Sequence, residues 1–194
     1  MKILLLLVLA TVMIGCGGGY DSLPPQVSDG NGGTIGAGST IVAKDEGNWR
    51  YGSISNENGV FSLSARIDAI NTYTVPKFPN LEQRSWIELE KRKLLSGMIT
   101  KRFTIFAPEY VKCTPSCVIR IKFNNRISSY SFEQRVDGVL NNIDDQLSAE
   151  LFDKTSQSNS ATIYLPIVGL SSDVESKFNL RGYDNKRMMF FDEQ

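Results

Sequence analysis

The sequence contains no histidine among its 194 residues. Histidine is the commonest general base and metal ligand near neutral pH, so its absence excludes Ser-His-Asp and Cys-His catalytic sites. The chain also has no Gly-x-Ser-x-Gly segment, no Ser-x-x-Lys motif, no phosphate-binding glycine loop and no dinucleotide fingerprint. No catalytic residue, cofactor or metal site is therefore predicted, and the sequence favours a role other than catalysis.

The chain also carries no excess of charge, with 21 basic and 21 acidic residues. Nucleic-acid-binding proteins usually show a basic excess or stripe, so no nucleic acid is predicted as a partner. The overall balance likewise gives no general attraction to anionic lipid. Two short basic clusters, 91–93 and 101–102, are interpreted as solvated strand faces.

The chain begins with a short apolar stretch. Lys2 is followed by the apolar run 3–10, which is shorter than the about 20 residues of a transmembrane helix. Three consecutive glycines follow at 17–19. A charged start, an apolar stretch and small residues at its end are typical of a secretory signal. We therefore predict a signal peptide over residues 1–15.

The end of this signal, Ile14-Gly15-Cys16, resembles the lipobox of bacterial lipoproteins. The sequence differs from the family at Met13, where Leu is usual. The resemblance implies cleavage before Cys16, lipidation of its thiol with fatty acyl chains such as palmitate, and anchoring in a membrane of the cell envelope. Gly17, where Asp favours retention in the inner membrane, implies the outer membrane if the source is Gram-negative. The alternative is an ordinary signal peptide that happens to end at a cysteine.

The remaining sequence divides into a linker and one domain. Residues 16–40 are rich in glycine and have no apolar period, which predicts a lipid-anchored flexible linker with a reach of roughly 25–30 Å. Residues 41–194 are long enough for one core and are predicted to form a single β-rich globular domain.

Alternation of apolar and polar residues predicts strands within the domain. Apolar residues recur at period two in six runs, which is typical of antiparallel sheet with one solvated face. These runs cover 61–67, 87–89, 99–105, 117–123, 161–167 and 178–180. One helix is predicted at 144–155, with Ile143, Leu147 and Leu151 on its apolar stripe and an aspartate as its cap. The fold class is therefore mainly β, an antiparallel sheet or sandwich with one late helix, with α+β left open.

Cys113 and Cys117 remain if Cys16 is lipidated. An exported protein meets an oxidising compartment, so a disulfide between them is predicted. The rival interpretation is a redox pair or a metal site. The spacing is not the Cys-x-x-Cys redox spacing, and zinc requires four nitrogen or sulfur ligands.

A second resemblance covers about residues 97–183. Cys113-x3-Cys117-x-Ile119-x-Ile121-x-Phe123, followed by a helix, a strand and Phe178-x-Leu180-x-Gly182, resembles a group of small exported bacterial proteins of unknown role. Asn124 stands where Asp is usual in that group, and Tyr183 where Leu is usual. The resemblance implies a β-rich domain and no particular activity.

Several side chains are candidates for function or for packing. Trp49 and Trp86 are predicted to be core or strand-edge anchors, with stacking on a ligand as the alternative. The apolar cluster 188–191 is predicted to dock as a last strand, with an exposed partner-binding tail as the alternative. Four carboxylates could in principle form a glycosidase pair, but each has a simpler explanation on a strand face or at a helix start. They are Glu88, Glu90, Asp144 and Asp145.

These observations favour a lipid-anchored binding or assembly protein of the cell envelope, with membrane contact through Cys16 and another envelope protein as partner. The alternatives are an envelope hydrolase that acts on glycan through paired carboxylates, and a binder of a small apolar ligand. The hydrolase requires two carboxyl groups about 5–9.5 Å apart in a cleft. The ligand binder requires a large apolar pocket inside the sheet.

Overall fold

The computed structural model describes residues 47–56, 59–107, 111–136 and 138–193. The predicted signal peptide, the lipidation site Cys16 and the linker 16–40 lie outside the described residues. The described elements are strands, one α-helix and two short 3-10 turns. They are β1 (Arg50–Asn56), β2 (Gly59–Asp68), β3 (Tyr73–Val75), β4 (Phe78–Gln83), β5 (Trp86–Lys93), β6 (Ile99–Phe106), β7 (Ser116–Phe123), β8 (Arg126–Val136), β9 (Val139–Asn142), α1 (Asp145–Gln157), β10 (Ser160–Leu165), β11 (Val174–Asn179), and 3-10 turns at Asn185–Met188 and Phe191–Glu193.

Nine strands form one antiparallel sheet in the order β1-β2-β5-β6-β9-β8-β7-β10-β11, and β3 pairs with β4 separately. The sheet curls until segments beside its two ends meet. The Gly47 N–H donates to the Arg181 carbonyl at 2.7 Å, and the Ile70 N–H donates to the Lys177 carbonyl at 2.7 Å. The prediction of a mainly antiparallel β fold with one late helix is confirmed.

The core lies inside the curl. Strand side chains alternate between the two faces of a sheet, and the inward set here is almost entirely apolar. The largest fully buried side chains are Phe103, Phe132, Phe152, Phe178, Ile67, Ile87, Leu89, Ile105, Ile119, Ile121, Leu140 and Leu151. The interior of the described sheet is therefore filled by the chain's own side chains.

Helix α1 covers a stretch of β6 that pairs with β5 on one edge but has no strand partner on the other. β9 pairs with β6 only from Thr104 to Phe106. The preceding N–H, that of Phe103, instead donates to Ser148 Oγ on the helix at 2.9 Å. Asp144 caps the helix by accepting from the backbone of Gln146 at 2.7 Å, as predicted. The helix therefore completes both the hydrogen bonding and the packing of β6.

The predicted apolar stripe of the helix is wrong at its first member. Ile143 is 54% exposed, whereas Leu151 and Phe152 are buried. Ile143 precedes the extended capping residue Asp144, whose N–H donates to Asn142 Oδ1 at 3.0 Å. Because Ile143 stands outside the helix, helical spacing does not determine where its side chain points.

The bond between the helix and β6 gives a stability prediction. Ser148→Ala leaves the buried Phe103 N–H without an acceptor, so we expect the free energy of unfolding to fall by about 1–3 kcal/mol. Ser156→Ala is the control on the same helix, since its hydroxyl donates only to the local Asp153 carbonyl. Urea unfolding should show little change for the control. Equal effects in the two variants would contradict the bridging role of Ser148.

The C-terminal segment docks on the body, but not as a strand. Met188 and Phe190 are buried. Asp184 accepts from the Lys186 N–H at 2.9 Å and starts a 3-10 turn, so the predicted last strand is wrong. The Asp184 N–H donates to the Tyr51 hydroxyl at 2.6 Å, which fixes the segment beside β1.

Candidate functional site

The outward side chains of β1, β2, β5 and β6 form a surface that we call the charged face. Its position follows from alternation: Ile87 and Leu89 point into the core, so Glu88 and Glu90 between and beyond them point outward. The charged face consists of Arg50, Ser62, Arg66, Asp68, Trp86, Glu88, Glu90, Arg92, Arg102, Thr104 and Phe106. The register places Arg66, Glu88 and Thr104 side by side across three strands.

Trp86 stands at the centre of a stack on this face. Its ring is parallel to that of Phe106, with centroids 4.7 Å apart and an interplanar angle of 8°. The Arg66 guanidinium lies 4.0 Å from the centroid of the indole. β2 and β6 flank β5 on opposite sides, so the two contacts cover both faces of the indole. Trp86 is therefore an anchor, as predicted, and its ring faces are not open to a stacking ligand.

Trp49 is also an anchor, at the place where the sheet ends meet. It is buried, and its indole N–H donates to the Leu180 carbonyl at 3.1 Å. Its ring meets that of Tyr183 edge to face, with centroids 5.2 Å apart. The role of Trp49 is thus to hold the start of β1 against the end of β11.

Arginine–carboxylate pairs organise the rest of the charged face. Asp68 binds both Arg50 and Arg66, the latter at 3.1 Å. Glu90 accepts from Ser62 at 2.7 Å and from Arg92 at 2.8 Å. These charge-assisted bonds fix the side chains in place, and a surface held in this way loses little conformational entropy when it binds a partner.

Glu88 differs from its neighbours, because no hydrogen bond to its carboxylate occurs within the described part of the chain. Burial raises the pKa of Glu88 above its ordinary value of 4.5, and the charge of Glu90 raises the same pKa further. Arg66 opposes this shift. A half-buried carboxylate with a raised pKa and no hydrogen-bond donor is available to bind a group on another molecule.

The raised pKa predicts a pH dependence of stability. Between pH 4.5 and the folded-state pKa, the folded chain holds the proton more tightly than the unfolded chain, so Glu88 lowers stability as the pH rises through this window. Glu88→Gln should therefore raise the melting temperature at about pH 7 but not at about pH 4, where Glu88 is protonated in both states. Glu90→Gln is the contrast, and it should destabilise because Arg92 and Arg102 lose the negative charge that they share. Melting curves at both pH values test this, and a Glu88→Gln gain of equal size at the two would contradict it.

The candidate carboxylates do not form a glycosidase pair in a cleft among the described residues. Glu88 and Glu90 lie on the outer flank of the sheet, and Asp144 caps α1 beside the exposed Asp145. A surface cavity of about 530 Å³ lies at the β7–β8 turn, and no acidic residue is among its lining residues. These are Phe123, Asn124, Asn125, Arg126, Ser128, Tyr130 and Lys154. The filled interior likewise gives the apolar-ligand hypothesis no support.

The two cysteines of the body lie at disulfide distance, with their sulfur atoms 2.03 Å apart. Cys113 is buried, and Cys117 lies in β7. The bond closes a short loop directly before a strand that pairs with both β8 and β10. This position suits a structural disulfide that fixes the start of β7.

The basic clusters are only partly solvated. Arg92 and Arg102 lie on the charged face and are half-exposed. Lys91 points inward and is buried, and its ammonium lies 3.8 Å from the Glu193 carboxylate. The interpretation of residues 91–93 as a solvated face is therefore wrong at Lys91, because strand alternation turns this residue toward the core side.

No family model matches the chain, and no curated protein matches it in sequence. The fold is similar to the crystal structure of invasion associated protein B from Bartonella henselae, with a TM-score of 0.44 and 9% identity over 74% of this chain and 90% of that one. This likeness is too loose to transfer a function. None of the helices in the described part of the chain is long and apolar enough to cross a membrane.

Proposed function

We propose that this protein is a lipid-anchored binding or assembly protein of the cell envelope. The observation that carries the proposal is the Ile14-Gly15-Cys16 segment at the end of an apolar N-terminal stretch. Cleavage before Cys16 and acylation of its thiol would attach the mature chain to a membrane, because two or more acyl chains hold a protein stably on a bilayer. If the source is Gram-negative, Gly17 directs the protein to the outer membrane.

The linker and the body have separate roles in this proposal. Residues 16–40 serve as a tether that lets the body sample its surroundings. The body presents the charged face to an envelope protein. Three features of the face support this role. They are the fixed arginine–carboxylate pairs, the rigid stack of Trp86 on Phe106, and the carboxylate of Glu88, which accepts no hydrogen bond among the described residues. A rigid surface whose charged groups are already in place favours binding of partners with complementary charge.

The partner experiment is crosslinking in the native cells, followed by mass spectrometry of the captured proteins. The wild-type chain should capture a reproducible envelope protein, and Cys16→Ser should lose it because the untethered chain leaves the membrane. Glu88→Arg should also lose the partner, since it reverses a charge at the centre of the charged face.

Glu175→Arg is the matched control for the surface. It makes the same charge reversal at an exposed position on β11, away from the charged face. This control should keep the partner. Loss of the partner in both variants, or in neither, would remove the charged face from the proposal. A well-folded wild-type chain that captures nothing would count against the binding role itself.

A further inference from the structure

The β5–β6 hairpin ends in an exposed apolar tip, which we define as Leu94, Leu95 and Met98. Leu95 is fully exposed and Met98 is 57% exposed. The tip joins the end of β5 to the start of β6, so it projects from one end of the curled sheet. Exposed leucine and methionine side chains grouped on one loop are typical of a surface that meets an apolar partner.

The backbone of the tip is held in one conformation. The Leu94 N–H donates to the Met98 carbonyl at 2.9 Å, and the Gly97 N–H donates to the Leu94 carbonyl at 2.9 Å. Gly97 has a φ of +82°, a value that glycine adopts without strain. Because the loop is already ordered, insertion of its side chains into an apolar phase requires little further loss of conformational entropy.

Basic residues surround the tip. The segment 91–102 contains lysines and arginines and no acidic residue. Arg92 and Arg102 share one carboxylate, that of Glu90, at 2.8 and 3.9 Å, and both arginines remain half-exposed. Lys91 and Lys101 are paired with Glu193 and Asp153, at 3.8 and 2.7 Å. The local positive charge beside the apolar side chains therefore comes from Arg92 and Arg102, two cations with one counter-charge, although the whole chain is neutral. This combination complements an anionic bilayer, which offers negative head groups above an apolar interior.

The opposite end of the sheet provides a comparison. Ile70 and Leu81 lie in the connection from the end of β2 to the start of β5, and they are 66% and 56% exposed. They are as exposed as Met98, and their connection carries Lys77 and Arg84 against Glu82. This end has a smaller basic excess than the segment 91–102, and attraction to anionic lipid grows with each basic residue near the surface. We therefore expect the tip to bind anionic lipid more strongly than this end of the sheet.

We propose that the tip inserts into an anionic lipid bilayer, as a second membrane contact in addition to the lipid at Cys16. The tether can accommodate both contacts. Residues 16–40 can span at most roughly 80 Å when extended, which is about three times the roughly 27 Å length of an eight-residue strand. The lipid anchor reinforces the contact of the tip, because it keeps the tip at a high effective concentration at the membrane.

The test uses the mature chain, residues 16–194, with Cys16→Ser, so that its outcome does not depend on the lipid anchor of the proposed function. Flotation with vesicles measures the bound fraction. The chain should bind vesicles of phosphatidylcholine and phosphatidylglycerol, should bind phosphatidylcholine alone much less, and should release at about 0.5 M salt, where surface charges are screened.

Variants identify the tip as the membrane contact. Leu95→Ser with Met98→Ser should lower the apparent partition coefficient at least about tenfold, since burial of one leucine side chain already corresponds to about that factor. Ile70→Ser with Leu81→Ser is the matched control and should bind as the parent chain does. Both variants change exposed side chains, so their melting temperatures should equal that of the parent.

Three results would overturn the proposal. The first is that the parent chain fails to bind anionic vesicles. The second is that the control loses as much binding as the tip variant. Sedimentation gives the third result: if the parent chain self-associates in solution and the tip variant is monomeric, the occupant of the tip is a second copy of the chain rather than a bilayer.

Discussion

Removal of residues 188–194 is expected to lower the free energy of unfolding by about 4 kcal/mol or more. The deletion removes Met188 and Phe190, which are both buried, and loss of one such side chain typically costs about 2–5 kcal/mol. It also removes Glu193, whose carboxylate lies 3.8 Å from the buried ammonium of Lys91. An inward-facing cation without its counter-charge adds to the loss. Urea unfolding of residues 16–194, with and without the last seven residues, measures the change.

Two adjacent phenylalanines provide a sharper form of this test. Phe190 is buried and Phe191 is 93% exposed. The same substitution at each position therefore distinguishes the effect of a docked side chain from the effect of losing any phenylalanine in this segment. We expect Phe190→Ala to cost about 3–5 kcal/mol and Phe191→Ala to change stability by less than about 0.5 kcal/mol. If both changes were small while partner capture was lost, the segment would instead be the exposed binding tail that the sequence left as an alternative.

The second large effect is expected in the core beneath α1. Phe103→Ala should lower the free energy of unfolding by about 3–5 kcal/mol, because Phe103 is fully buried and its ring lies 6.3 Å from that of Phe132. Phe106→Ala is the control on the same strand. Phe106 faces outward and packs on Trp86, so its removal should cost roughly 1 kcal/mol.

Thermal unfolding and urea unfolding should both show a larger loss of stability for Phe103→Ala than for Phe106→Ala. Phe103→Ala should also loosen the β6 edge that α1 covers, since the Phe103 N–H bonds to Ser148 on the helix. Faster amide exchange in β6 and α1 than in β10 would accompany the loss. Equal destabilisation by Phe103→Ala and Phe106→Ala would contradict the assignment of inward and outward faces.

The strands that the sequence predicts are those with a clean alternation. The six predicted runs fall on β2, β5, β6, β7, β10 and the end of β11, where apolar side chains alternate with polar ones, and the structure confirms them. The sequence does not predict β8, because the alternation is reversed at its start: the apolar Ile127 is 55% exposed, and the polar Ser128 shares the face of Tyr130 and Phe132. Alternation is a signal only when the two faces differ in polarity. β1, β3, β4 and β9 were missed as well.

The candidate site shows the same limit. Alternation places Glu88 and Glu90 on the outer face, as predicted. The stack of Phe106, Trp86 and Arg66 could not be predicted, because it depends on the register of β2, β5 and β6 against one another. A period of two gives the face of a side chain but not its neighbours across the sheet.

The C-terminal segment contains a local sequence signal for a turn, at Asp184. Asp184 can accept from the backbone two residues later, which favours a turn rather than a strand. Apolar composition at 188–191 correctly indicates docking, because two of the four side chains are buried. Composition does not distinguish a docked strand from a docked turn, and only the capping residue does.

The central proposal, lipid anchoring at Cys16, is tested most directly by mass spectrometry of the N-terminal peptide from the membrane fraction of native cells. The proposal predicts a peptide that begins at Cys16 and carries a diacylglycerol mass on its thiol, with further acylation of its amino group where the organism adds it. A peptide that begins elsewhere, or one that begins at Cys16 with a free thiol, would contradict the proposal.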